Sequence, residues 1–309
     1  MPVKTLKTAK KPARSAKKAP VGQDRPASKK VAKKTVDIKA PLHPSSPIPH
    51  PLNVVCMWWR REDGSEKFSL EYVNRLYRMV QRNLTLPHRF VCFTEDAIGN
   101  DGARLLPEIE RFPIPPVNFP KGCPERGWKK LGVLLSEKVG DLHGTALFLD
   151  LDTVIVDNID DMFKAPGKFL IARDKAGNDI EGNSSVVRFE IGQHQDVLNY
   201  FENNFESVRK EVRREQQFLS NEMRKKGIFG FWNGNDCPMC KSWVRSFKYC
   251  CLLRFPFNWF VAPKLPKGAK IVVFHGRPIN EEAMNGYTAK FGLRRVRPTK
   301  WIRKYWIGQ

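Results

Sequence analysis

The chain has 309 residues, of which 41% are hydrophobic and 28% charged, enough for a substantial buried core and too apolar for a wholly disordered protein. Its formal charge of +22 is uneven, with 13 basic against 2 acidic residues in 1–50, 26 against 28 in 51–240, and 15 against 2 in 241–309. No stretch approaches the roughly 18 apolar residues of a membrane span, and the N-terminus lacks the apolar run of a secretory signal, so a cytoplasmic protein, at most peripheral at a membrane, is expected.

In chain order, residues 1–50 ("KTAKKPARSAKKAP", "PLHPSSPIPHP") are dominated by Lys, Ala and Pro and contain no aromatic residue. Such a segment buries too little apolar surface to offset its ordering entropy, and a disordered basic arm is expected. One α/β domain is expected over residues 51–309. "NVVCMWW" reads as a strand, and "SLEYVNRLYRMVQRNL" as a helix with Leu70, Val73, Leu76, Tyr77 and Val80 on one face and Ser69 as N-cap. "RFVCFTE" is a strand, "GWKKLGVLLSEKV" a helix feeding the strand "ALFLDLDTVIV", and "KFLIARD" and "SSVVRFE" are further strands. A charged helix over residues 195–226, an aromatic and proline-punctuated stretch, the strand "KIVVFHG" and a basic tail complete the chain. The alternation predicts βαβ units and a mostly parallel, Rossmann-like sheet flanked by helices, with ligands at the carboxyl ends of its strands.

The seven cysteines are an odd number in a chain without a secretory signal, which argues against a disulfide framework. "CPMC" followed by "CC" leaves two readings of Cys237, Cys240, Cys250 and Cys251: reduced thiols, or a zinc site of non-standard spacing.

Chemistry concentrates in "TALFLDLDTVIVDNIDDMF". An ionised carboxylate in apolar company is costly unless a cation meets it. Residues two apart on a strand share a face, so Asp150 and Asp152 can converge on one ion, and two hard oxygen ligands suit Mn²⁺ or Mg²⁺. One class with this pattern is the haloacid-dehalogenase-like phosphatases, in which the first Asp attacks phosphorus. Those need a later acidic pair, and the only late adjacent acids, Glu281 and Glu282, open a helix-like stretch.

The motif order "W-x-K-L", "LFLDLDT" and "VVFHGRP" resembles the GT-A glycosyltransferases, most nearly the family 8 type, over residues 53–279. That resemblance implies a GT-A fold, a nucleoside-diphosphate sugar donor (a UDP-sugar), a glycan, lipid or protein hydroxyl acceptor, and retention at the anomeric carbon. It implies a metal held by Asp150, Asp152 and His275, with Gly276 letting backbone approach the phosphate. The family's lysine beyond this histidine is absent, which leaves Arg277 to take its part. Lys130, or Lys129 beside it, matches a basic helix residue that contacts donor. Asn183 matches an asparagine facing the sugar, and Glu215 and Gln216 match an Asp-Gln pair near the anomeric carbon. Trp58 or Trp59 falls where the nucleobase is framed.

The basic ends suggest contact with nucleic acid or an anionic membrane. A nucleic-acid-binding protein on an inactive GT-A-like scaffold is therefore a further alternative. The tail "RRVRPTKWIRKYW" places Trp301, Tyr305 and Trp306 among cations, which fits a membrane interface or a segment capping the nucleotide cleft.

Overall fold

A computed structural model of the protein describes residues 52–120, 126–174, 181–289 and 291–308, all within the unit Ser45–Gln309. The arm expected over residues 1–50 lies outside the described residues, as does Cys123.

The first strand, β1 (Leu52–Met57), is buried along its whole length. Its side chains alternate between two cores, Leu52, Val54 and Cys56 facing one and Val55 and Met57 the other, as a strand covered on both faces requires. Helix α1 (Glu71–Asn83) follows and buries Tyr72, Val73, Leu76, Met79 and Val80. It begins later than the sequence suggests, with Leu70 at the cap position, yet Ser69 Oγ still accepts the Glu71 N–H at 3.2 Å. Strands β2 (His88–Phe93) and β3 (Glu110–Phe112) lead to α2 (Lys130–Leu135), which extends a 3₁₀ turn over Arg126–Lys129.

The run expected to be one strand is two. β4 (Thr145–Leu149) lies beside β1, whereas β5 (Thr153–Ile155) leaves that sheet and pairs antiparallel with a later strand. A turn at residues 150–152 makes the change, closed by Thr153 N–H and Oγ1, both donating to the Asp150 carbonyl at 3.3 and 2.9 Å. Asp150 and Asp152 are therefore brought together by a turn and not by the pleat of a continuous strand.

Next come α3 (Asp160–Lys164), β6 (Phe169–Arg173) and β7 (Gly182–Glu190). The long charged helix is broken into α4 (Gln195–Asn203), α5 (Phe205–Glu211) and α6 (Glu215–Lys225), because Asn204 leaves helical backbone between the first two and buried Val212 adopts extended backbone after the second. The remaining strands are β8 (Phe229–Phe231), β9 (Val244–Ser246) and β10 (Ile271–Val273). Helix α7 (Asn280–Asn285), the hairpin of β11 (Tyr287–Ala289) and β12 (Arg294–Val296), and α8 (Lys300–Ile302) follow.

The main sheet has the order β3-β2-β1-β4-β7-β6-β8. All its neighbours run parallel except β7, which is antiparallel to both β4 and β6, so the α/β expectation of a mostly parallel sheet flanked by helices holds. A second sheet, β5-β10-β9, packs with α1 in one core, and α2 with α4 to α6 builds the other. The tail caps α1: Trp306 is buried, meets the Tyr72 ring edge-on at 5.0 Å and lies under the Arg75 guanidinium at 4.2 Å. It is core and not an aromatic belt. Cys240 and Cys250 form a disulfide across β9, where reduced thiols or zinc were expected, because the turns Met239–Lys241 and Phe247–Cys251 face each other.

His194, just before α4, is 4% exposed and meets the Phe169 ring edge-on at 5.9 Å. Burial, reinforced by Lys226 and opposed by Asp196, lowers its pKa below the ordinary 6.5. The unfolded chain thus binds a proton first as pH falls, so this stability is present above 6.5 and lost as pH drops toward the depressed folded value. The urea midpoint should fall between about pH 7 and about pH 5, and His194→Leu should flatten that slope. A variant with the wild-type slope would show that the ring charges without penalty.

Candidate active site at the end of strand β4

Strand β4 delivers Asp150 to the carboxyl edge of the parallel strands, where its N–H donates to the Ser185 carbonyl at 2.8 Å. Lys130, the first residue of α2, reaches it from below. Its ammonium lies 2.6 Å from Asp150 Oδ1 and 2.8 Å from Oδ2, and it donates to Ser184 Oγ at 3.4 Å. Ser184 Oγ in turn donates to Glu215 Oε1 at 2.9 Å. Burial by itself would lower the Lys130 pKa, but Asp150 and Glu215 outweigh it and hold the ammonium charged. Gly127 keeps this corner open, since a Cβ there would stand 2.9 Å from Glu215 Oε2.

Asp152 is 5% exposed, and its nearest cation in an ion pair, Lys67 Nζ, is 4.0 Å away. Burial first, and the charge of Asp150 second, hold its carboxyl well above the usual range. Asp152 is therefore the less compensated of the two acids, with Lys67 at 4.0 Å where Asp150 has Lys130 at 2.6 Å. The turn opens onto a cavity of about 700 Å³ lined by Trp58, Trp59, Lys130, Asp150, Asp152 and Glu215 among others. Trp58 is 2% exposed, and its indole N–H is held by the Phe68 carbonyl at 2.9 Å, so the half-buried Trp59 offers more ring to a ligand.

Asn183 and Gln216 belong to a buried polar cluster and are not among the residues lining that cavity. Asn183 Nδ2 donates to Gln216 Oε1 at 3.5 Å, and Gln216 Nε2 donates to Asp174 Oδ2 at 2.6 Å. Arg214 clamps Asp174 at 3.1 Å and Glu181 at 3.3 Å.

His275 follows β10, whose edge is tied to the aspartate turn by Phe274 N–H donating to the Asp152 carbonyl at 3.3 Å. Its Nε2 lies 2.7 Å from Ser246 Oγ, while Nδ1 is buried without a hydrogen-bond partner. Burial lowers its pKa, favouring a neutral ring able to lend a lone pair. Gly276 has a left-handed φ of 64°, a conformation glycine supplies at little cost. Lys248 donates to the His275 carbonyl and sits 3.6 Å from where a Gly276 Cβ would be. Arg277, by contrast, is exposed and paired with Glu282 at 2.8 Å.

Among the described residues, no three His, Cys, Asp or Glu side chains converge closely enough to hold a metal as they stand. The carboxylate pair and His275 Nδ1, which has no hydrogen-bond partner among the described residues, nevertheless have the donor chemistry a hard divalent ion takes. Sequence reasoning missed Ser184, Asp174, Glu181, Arg214, Lys67 and Lys248. Asp174 ends the strand "KFLIARD" much as Asp150 ends its own, a signal present in the sequence; Lys67 and Lys248 sit in stretches with no periodic pattern.

No protein-family model matches the chain, and no curated protein does. Solved structures are similar. The galactosyltransferase LgtC, in complex with donor and acceptor sugar analogs, aligns with TM-score 0.46 and 12% identity over 74% of this chain and 88% of that one. Mouse xyloside xylosyltransferase 1 aligns with TM-score 0.43 and 14% identity over 74% and 98%. The glycosyltransferase GlyE of Streptococcus pneumoniae aligns with TM-score 0.44 and 10% identity over 74% of this chain, which spans 56% of GlyE. At such identities the likeness is one of chain path, and the chemistry must be read from this chain's own side chains.

Lys130→Met leaves Asp150 and Glu215 without their shared cation. It should cost about 2 kcal/mol in urea denaturation, less than for a fully buried pair because Asp150 keeps 21% of its side chain exposed. Wild-type stability in that variant would mean the ion pair only offsets its own desolvation.

Proposed function

We propose that the protein is a metal-dependent glycosyltransferase that moves a sugar from a nucleoside-diphosphate donor, a UDP-sugar, to a hydroxyl acceptor with retention at the anomeric carbon. The observation that carries this reading is the carboxylate pair at the β4–β5 turn, opening on a cavity of about 700 Å³, a size within the range of small-molecule sites. A divalent ion, Mn²⁺ or Mg²⁺, would be held by Asp150 and Asp152 with His275 Nδ1 and would supply positive charge to the departing diphosphate.

The chain's own groups do the rest. Trp59 presents a ring to the nucleobase, while Trp58 supports it from the core. Lys130 orients Asp150 through both of its carboxylate oxygens. Lys248 is the cation beside Gly276, in the part first assigned to Arg277, which is engaged with Glu282. Glu215 lines the cavity, held by Ser184, and would serve the sugar end of the donor. Gln216 and Asn183 order the adjoining wall, with the Gln216 amide fixed by Asp174.

The phosphatase reading finds no support. Its later acidic pair would have to be Glu281 and Glu282, but Glu281 pairs with Arg75 at 3.4 Å, and Glu282 accepts the Ile279 N–H at 3.0 Å and pairs with Arg277.

Calorimetric titration with UDP, GDP and CMP, each with Mn²⁺ and with EDTA, tests the proposal. UDP should bind with Mn²⁺ and not with EDTA, and Asp152→Asn should weaken that binding by about 100-fold while leaving the circular dichroism unchanged. Undiminished metal-dependent affinity in the variant would remove Asp152 from the site, and absence of nucleotide binding by the wild type would end the reading.

A further inference from the structure

Nine large hydrophobic side chains are exposed among the described residues, and six of them come from two segments of the chain. Leu253, Phe255, Phe257 and Phe260 belong to the loop after the turn Phe247–Cys251, and Phe291 and Leu293 to the connection between β11 and β12. Their exposures run from 45% for Leu253 to 108% for Phe291, so these rings and branches project into solvent.

The two segments form one surface. Trp259 Nε1 donates to the Gly292 carbonyl at 2.9 Å, and Asn258 Nδ2 donates to the Arg295 carbonyl at 2.9 Å. The Arg295 guanidinium lies 5.8 Å from the Trp259 ring centre, and Phe255 meets the same indole at 6.2 Å. A half-buried tryptophan and a buried asparagine thus form a fixed base from which the apolar side chains are held outward.

The charge around them has a single sign. Arg254, Lys264, Arg294, Arg295 and Arg297 are exposed on the same two segments and their flanks. The sequence has no Asp or Glu from residue 237 to 280, and none after 282. Burial first and the charge of Arg294 second lower the pKa of Lys248, which places the hairpin within electrostatic reach of the His275 side of the site.

Apolar side chains held in water amid cations are unfavourable unless a partner takes up both. An anionic bilayer does: aromatic rings settle at headgroup depth while guanidinium and ammonium groups meet lipid phosphates. Leu253 and Leu293 offer a nucleic acid nothing to stack on or pair with. A two-fold contact with a second copy would set Arg294 and Arg295 against their equivalents with no acid nearby to neutralise them.

We propose that the face built by the 253–260 loop and the β11–β12 hairpin docks the protein on an anionic lipid surface. No helix of the described residues is long and apolar enough to cross a membrane, and the contact proposed is peripheral. It does not depend on the glycosyl-transfer reading.

The test is sedimentation of the full chain with phosphatidylcholine vesicles and with vesicles of phosphatidylcholine and phosphatidylglycerol at about three to one. The wild type should sediment with the anionic vesicles alone. The double variant Phe257→Ser/Phe260→Ser should bind them about tenfold more weakly, with unchanged circular dichroism and Tm. Both proteins carry the basic arm, so the arm cannot produce the difference. Equal binding by the two proteins, or no binding by the wild type, overturns the proposal. So does a wild-type dimer that the double variant turns into a monomer, or a loss of affinity for single-stranded RNA in place of vesicles.

Discussion

Everything at the candidate site depends on one ammonium group. Lys130 sits at the start of a helix, is almost buried, and binds both oxygens of Asp150 while sharing its field with Asp152 and Glu215. Asp152 has its own cation, Lys67, only at 4.0 Å, and the cost of burying it is carried by the packing around it. A fold of this size tolerates such a corner because two continuous cores, one on each face of the main sheet, supply the stability. Compensated at a distance, Asp152 is the group there with most to gain from an incoming cation.

The fold produces this corner by splitting a single apolar run between two sheets. β4 belongs to the central sheet and β5 to the smaller one, so the intervening residues must turn, and the turn is where the carboxylates stand. The small sheet then returns through β10, whose continuation bonds the Asp152 carbonyl, and His275 arrives next to the turn it could not have approached from the main sheet.

Much of this was legible in the residues. Buried strands such as β1 and β4 are rich in β-branched and apolar residues with turn residues nearby, and α1 has a clear apolar stripe, so the existence and order of the longer elements were readable, whereas three-residue strands such as β3, β8 and β9 carry too little pattern to be seen. The break at residues 150–152 was not, because "FLDLDTVIV" keeps strand-like alternation straight through it; only the partners β1 and β10, distant in sequence, assign its two halves. Helix α6 was visible, but not that Gln216 points inward, since that depends on Asp174 approaching from another strand. The aromatic tail left interface and cap both open for a related reason: only Tyr72 and Arg75, distant in sequence, show Trp306 enclosed against α1. The exposed rings are instead those of a stretch that reads as an ordinary proline-punctuated loop.

The reversed direction of β7 has a consequence for how such a site can change over generations. Because β7 is antiparallel to β4, its opening residues, Asn183 to Ser185, lie alongside the closing residues of β4. One rim of the site is therefore anchored by a strand that is ending and the other by a strand that is starting. A change in the stretch joining β6 to β7 bears first on Asn183 and Ser184. Through the Ser185 carbonyl, which accepts the Asp150 N–H, and through Ser184, which meets Lys130 and Glu215, it also reaches the opposite rim, so the two rims are held in register by a few hydrogen bonds.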